Sequence, residues 1–283
     1  GSYVLGMGFT FDDTDKKGVA TPLAEMERLI AKDPRNQERI FPYIGGEEVN
    51  TSPTHSHHRC VINFHDLPLN RADVGELWDR IDEARKRYWL RTGTVPVDYP
   101  KPVAADWPDL LEIVERKVKP ERDVKKRDSN REFWWHYAEK RPGLYASITG
   151  LDEVLVRSLT SKNFVFALLP NGMVYDQTLI VFTRSSYREW AILSSTVHEA
   201  WANFFGPTLE DRPRYTPSDC YETFPFPEGF EDNETLEELG RTYYPYRVDL
   251  MRRQNAGLTT IYNWFHDPEC ECPEIPKLRE LHD

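Results

Sequence analysis

Residues 158–182, SLTSKNFVFALLPNGMVYDQTLIVF, set two β-rich apolar runs on either side of a turn signal, and no other stretch constrains the fold as much. Residues 163–169 and 173–182 are the expected strands. Between them Pro170-Asn171-Gly172 supplies an Asn-Gly pair that tolerates positive φ at both central turn positions, which predicts a tight hairpin. Polar side chains gather at its ends: Ser158, Ser161, Lys162 and Asn163 precede the first strand, and Tyr175, Asp176 and Gln177 interrupt the second. A two-stranded ribbon fits the major groove of duplex DNA. The plainer reading is an ordinary core hairpin.

A chain of 283 residues is long enough for one large domain or two. No apolar run approaches the roughly 20 residues of a membrane span, and no charged-then-apolar leader is present, so no membrane association is expected. The chain opens on Gly1-Ser2 without an initiator Met, as a removed tag would leave it, and an excised fragment is expected. Cys60, Cys220, Cys270 and Cys272 are too few and too irregular for a disulfide framework, so a reducing cytoplasm is the expected compartment. The formal charge of -11 argues against a generic nucleic-acid coat, but the charge is uneven. Residues 116–131 carry eight Lys or Arg against Glu121, Asp123 and Asp128, whereas residues 228–238 carry six acids and no base. A module that touches phosphate on one face only would have this pattern.

Along the chain, residues 3–11 read as a short strand or loop. Thr21 and Pro22 predict a helix start, and the helix runs over residues 21–31. Residues 41–48 read as turn-rich and residues 60–64 as a strand. Helical spacing follows over residues 73–90, then a Pro-rich connector over 94–108, then a helix over 109–118. Trp190, Leu193, Val197, Trp201 and Phe204 predict one amphipathic helix over residues 187–205. Residues 212–227 read as extended and Pro-punctuated, and residues 236–281 as helix, loop, helix.

Chemistry-bearing patterns are incomplete. His55, His57, His58 and Cys60 carry zinc-ligand chemistry but fit no closed four-ligand spacing, and a solvated loop is the better reading. His198-Glu199 begins a zincin helix, but Ala202 stands where the second histidine is required, so His198 is expected to be a hydrogen-bonded packing residue. Asp109, Glu115 and Lys117 imitate the acid and lysine set of a metal-dependent nuclease, though all three fall on one expected helix. No Asn-Pro-Pro-aromatic tetrapeptide, Walker A loop or nucleophile elbow is present. Neither a catalytic residue nor a metal site is therefore assigned.

Several segments, in order, resemble the DNA target-recognition domain of large adenine-specific methyltransferases, above all the MmeI-like type IIL restriction-modification enzymes and related phage-defence methylases. They are Phe41-Pro42-Tyr43-Ile44-Gly45-Gly46-Glu47-Glu48 with Val61-Ile62-Asn63-Phe64, then Val118-Lys119-Pro120-Glu121-Arg122, then Phe133-Trp134-Trp135 and the 158–182 stretch. Leu193-Ser194-Ser195 with His198 and Trp201, Arg214-Tyr215-Thr216, and Thr223-Phe224-Pro225-Phe226-Pro227 follow. Residues 257–263 and 278–282 resemble the small C-terminal helical region of the same enzymes. The resemblance implies that the S-adenosylmethionine pocket and the catalytic motif lie in an upstream methyltransferase domain, that this chain holds no cofactor, and that its partner is double-stranded DNA. It implies base readout near the hairpin ends, for which Lys162, Asn163, Asn171, Tyr175, Asp176 and Gln177 are the candidates. Lysine donates to guanine, Asn or Gln pairs with adenine, and Asp accepts from cytosine. Lys119, Arg122, Lys125, Lys126 and Arg214 are the candidate phosphate contacts, which set register without reading sequence.

The expected fold is α+β, with a mainly antiparallel sheet flanked by helices over residues 1–227 and a truncated helical region over 228–283. The expected function is sequence-specific duplex DNA recognition for an adenine (N6) methyltransferase, with no catalysis by this chain alone. The rival readings are a metal-dependent nuclease fragment and a protein-interaction module of a defence complex.

Overall fold

Pro108 fits the first turn of a helix, and Leu110, Ile113 and Val114 share one face beyond it. The computed structural model, which describes residues 1–209 and 212–282, forms this helix over Pro108–Lys117 and buries those three side chains. The fold is α+β. In chain order the first elements are β1 (Thr10–Phe11), α1 (Leu23–Lys32), β2 (Ile40–Ile44), α2 (Gly46–Thr51), β3 (Arg59–Ile62) and β4 (Asn70–Ala72). Next come α3 (Glu83–Thr92), β5 (Thr94–Pro96), α4 (Pro108–Lys117), α5 (Lys119–Asp123), α6 (Asp128–Glu132) and α7 (Pro142–Ile148). The remainder runs β6 (Glu153–Ser158), β7 (Ala167–Pro170), β8 (Val174–Tyr175), β9 (Leu179–Phe182), α8 (Tyr187–Leu193), α9 (Thr196–Phe205), α10 (Glu234–Arg253), α11 (Leu258–His266) and α12 (Ile275–His282). No helix among the described residues is long and apolar enough to cross a membrane.

The chain divides into two compact units, one of Ser2–Tyr43 with Arg59–Lys140, the other of Gly1, Ile44–His58 and the chain from Arg141 onward. In the first unit β3 pairs antiparallel with β1 and β2, while β4 and β5 pair in parallel. The turn Met7–Phe9 that leads into β1 is tight: a Cβ on Gly8 would lie 2.8 Å from Lys117 Cβ and from Val118 Cγ2, so only glycine fits there. Two expectations fail in this part of the chain. Residues 41–48 are not a turn-rich segment but most of β2 followed by the start of α2. The helix expected over residues 73–90 forms only from Glu83, because Gly75 takes a φ of 72° and Asp82 caps the chain later by accepting from Arg85 N–H at 2.7 Å.

The second unit is built on β6, whose residues 154–158 are buried on both faces. β7 and β9 flank it, each antiparallel to it. The hairpin expected between residues 163–169 and 173–182 therefore does not exist; both strands pair with β6 instead of with each other. The Asn-Gly pair explains why. Only Gly172 takes positive φ, at 94°, so the type I′ turn that a two-residue hairpin needs is not made. Asn171 instead ties the end of β7 to the segment before β6, its N–H donating to Asp152 O at 2.9 Å and its Nδ2 to Ile148 O at 2.7 Å and Leu151 O at 3.0 Å.

Helices cover this sheet. Residues 187–205 form two helices rather than one, since Ser186 and Ser195 each accept a backbone N–H three residues on, at 3.3 Å from Glu189 and 3.2 Å from His198. The C-terminal stretch contains three helices where a helix, loop, helix was expected, and α10 packs along α8. Within residues 212–227, expected to be extended, Pro217–Tyr221 winds into a π turn. Leu155, Phe166, Trp190, Leu250, Leu258, Ile261 and Leu278 belong to one continuous apolar core that joins sheet and helices.

Candidate nucleic-acid interface

In the second unit the register Ser158↔Leu179 sets the last residue of β6 beside the first of β9. Leu159 N–H donates to Thr178 O at 2.7 Å, Tyr215 N–H donates to Leu159 O at 2.9 Å, and Thr160 bridges Arg214. One end of the sheet thereby collects Lys162, Asn163, Asp176, Gln177 and Arg214 from three separate segments. Lys162, Gln177 and Arg214 are exposed. Asp176 Oδ1 accepts from Thr178 N–H at 2.9 Å, which fixes the turn that carries Gln177 outward. Lys162 Nζ donates to Asn263 Oδ1 at 3.2 Å, and Lys162, Asn163, Glu199, Asn263, His266 and Asp267 line an open cavity of about 320 Å³. Asn263, His266 and Glu199 are not among the readout candidates the sequence offers; they arrive on α11 and α9, and only the fold brings them to Lys162.

Three readout candidates are engaged by the fold itself. Asn171 stands at the opposite end of the sheet, next to Glu153↔Pro170, and its amide is engaged by backbone carbonyls. Tyr175 is fully buried, its hydroxyl donating to Pro170 O at 3.1 Å, and burial pushes its pKa up. Asn163 is 5% exposed, with Nδ2 3.4 Å from Thr259 O, and it supports the loop more than it presents a free edge. Asn171 and Tyr175 are thus corrected from base contacts to structural residues.

Beneath the polar end lies a buried cation. The Arg157 guanidinium sits 4.1 Å from the Phe164 ring centroid and 5.2 Å from those of Phe166 and Tyr215, and donates to Val165 O at 3.2 Å. Desolvation lowers its pKa to about 10, so it stays charged at neutral pH. His198 is fully buried beside it, with Nε2 2.9 Å from the Tyr215 hydroxyl, the hydrogen-bonded packing role expected from its helix. Desolvation, then the Arg157 charge, lowers the His198 pKa to about 4 and keeps the imidazole neutral. This layer fixes Tyr215, and through it the backbone of Arg214 against Thr160.

In the first unit the basic run of residues 116–131 is largely occupied by its own neighbours. Arg122 is fully buried, its Nε donating to Leu5 O at 3.2 Å and one terminal nitrogen to Val4 O at 2.8 Å and His136 O at 3.3 Å. It is corrected from a phosphate contact to a structural cation that joins the N-terminal segment to the tryptophan-rich turn. Lys117 Nζ donates to Val19 O and Ala20 O, both at 2.8 Å. Lys119 pairs with Glu115 at 2.9 Å and lies 5.1 Å from the Trp134 ring centroid, Lys125 pairs with Glu121 at 3.3 Å, and Arg131 pairs with Asp128. Arg116, Lys126 and Arg127 are exposed and form no ion pair among the described residues. Of the phosphate candidates in this unit, Lys126 is the one left fully available.

The nuclease pattern does not assemble. Asp109 Oδ1 pairs with Lys32 Nζ at 2.6 Å, Glu115 with Lys119, and Lys117 is held by carbonyls, while six residues of helix turn Asp109 and Glu115 to different sides. His55 is buried with Nδ1 2.9 Å from Val49 O, and His58 Nδ1 stands 3.6 Å from Glu48 Oε1. Among the described residues no group of three or more His, Cys, Asp or Glu is arranged to hold a metal ion.

Residues 111–228, which begin inside α4 and end before α10, match the family profile described as MmeI, target recognition domain. That segment is similar to the target recognition domain of MmeI. It contains both the basic run and the polar sheet end. The chain as a whole is also similar to a solved structure of the type IIL restriction-modification enzyme MmeI in complex with DNA, with a TM-score of 0.59 and 17% identity over 100% of this chain and 31% of that one. At this identity the likeness is one of fold, and the chain spans about a third of the solved MmeI chain. No curated protein matches the sequence.

Proposed function

We propose that this chain reads duplex DNA on behalf of a site-specific adenine (N6) methyltransferase in a restriction-modification or phage-defence system. The observation that carries the reading is the match of residues 111–228 to the MmeI target recognition domain. The polar sheet end supports it physically. Lys162 and Gln177 are exposed donors of the kind that pair with guanine and adenine edges, and Arg214 beside them suits a phosphate. In this reading S-adenosylmethionine and the transfer of its methyl group belong to a methyltransferase domain upstream in the same cytoplasmic polypeptide, and the target adenine is flipped into that domain. This chain contributes address, not chemistry.

Selection of bound duplexes from a randomised library at low salt tests the proposal: an enriched sequence, with affinity that falls steeply as salt is added, is the expected result. Folded protein that retains no duplex would sink it. A protein-interaction module is the second reading, favoured by Val197 and Phe204 on α9, which are 69% and 80% exposed. That reading predicts no salt-sensitive affinity for DNA.

A further inference from the structure

Helix α3 lies outside the matched segment, and its sequence, EARKRYWLRT, carries Arg85, Lys86, Arg87 and Arg91 against a single acid, Glu83. The helix sorts these cations by face. Arg85 Nε pairs with Glu76 at 2.8 Å, Trp89 Nε1 donates to the same carboxylate at 2.8 Å, Lys86 pairs with Glu83 at 3.0 Å, and Lys86 Nζ lies 5.7 Å from the Trp78 ring centroid. That side anchors the helix to the segment before it. The opposite side holds Ala84, Arg87, Tyr88 and Arg91 at i, i+3, i+4 and i+7, so they share one face. Arg87 and Arg91 are exposed and form no ion pair or hydrogen bond among the described residues, and Tyr88 between them is 48% exposed. Together they line a shallow concavity of about 450 Å³.

We infer that this face of α3 is a phosphate-binding surface for the DNA backbone, separate from the run at residues 116–131. The inference rests on the DNA reading proposed above. Two guanidiniums one helical turn apart, each a planar fork of donors, suit the oxygens of successive phosphates, and the Tyr88 hydroxyl adds a further donor between them. The rest of the chain sharpens the assignment. In a protein of formal charge -11, two arginines without ion pairs on one helix face concentrate positive potential where a polyanion would sit. The surface carries no base-reading geometry, so it sets affinity and not sequence.

The test compares the 283-residue chain with its Arg87→Gln/Arg91→Gln variant on a random-sequence duplex, plotting log affinity against log salt concentration. Each lost phosphate contact flattens that slope by about 0.9, so the double variant should be flatter by about 1.8, with the loss of affinity greatest at low salt. The sequence enriched from a library should be unchanged, and Arg87→Lys/Arg91→Lys should restore most of the slope because the charges remain. Native binding with an unaltered slope in the Gln variant would overturn the inference and leave the DNA reading standing. A changed enriched sequence would also overturn it, since a phosphate contact carries no sequence information. Folded native chain that binds no duplex would remove the DNA reading, and this inference with it.

Discussion

Residues 116–131 and helix α3 are both rich in Lys and Arg, yet the first is mostly engaged internally and the second presents its charge. In the run, Arg122 and Lys117 hold backbone carbonyls and Lys119, Lys125 and Arg131 hold carboxylates. On α3, Arg85 and Lys86 are engaged by Glu76, Glu83 and Trp78 while Arg87 and Arg91 are exposed without a carboxylate partner. Charge counted along a chain is therefore not charge available to a ligand. What decides is whether carbonyls and carboxylates reach the cation first.

The sharpest way to break this contrast is at its buried member. Arg122→Ala should destabilise the first unit by about 4 kcal/mol, because it leaves Val4 O, Leu5 O and His136 O without their charged donor. Thermal unfolding close to that of the native protein would mean the residue is dispensable, and a phosphate role would reopen.

Acid should act next. His198 lies beside buried Arg157 and His55 near buried Arg247, and desolvation followed by those arginines lowers both imidazole pKa values to about 4. Because the folded pKa lies below the unfolded value of 6.5, the unfolded chain binds the extra protons. Stability is then complete above about pH 6.5 and falls as pH drops toward 4, by up to about 3 kcal/mol from His198 alone. A urea midpoint that stays flat across that window would contradict the neutral, buried placement. The smallest effect belongs to the exposed pair Lys126 and Arg127. Replacing each by alanine should change stability by less than about 0.5 kcal/mol and flatten the salt slope of duplex binding by about 0.9 apiece. A large loss of stability would show that they are engaged like their neighbours.

The sequence made some of this visible. Helix α4 follows from Pro108 and the spacing of Leu110, Ile113 and Val114, and the packing role of His198 follows from its place beside an apolar stripe. The order of the resembling segments pointed to the recognition domain that the family match assigns to residues 111–228. The strand pairing was not visible. Asn171-Gly172 is a strong hairpin signal locally, but Asp152, Ile148 and Leu151 offer Asn171 partners that no local rule anticipates. Nor was the fate of Arg122, since a buried arginine and a solvated one read alike until the carbonyls of residues 4, 5 and 136 converge on it. The polar sheet end was half legible. Lys162 and Gln177 were named, whereas Tyr175 is buried together with its strand neighbour Val174 and Asn171 falls at the other end.

The central claim is that the exposed end of the β6–β9 pair reads bases. Its most direct measurement is selection from a randomised duplex library with the native chain, Lys162→Ala and Gln177→Ala in parallel. The account predicts one enriched sequence for the native chain that relaxes at a single position in each variant, with the remaining positions kept. An enriched sequence identical in all three proteins would place the readout elsewhere on the molecule and contradict it.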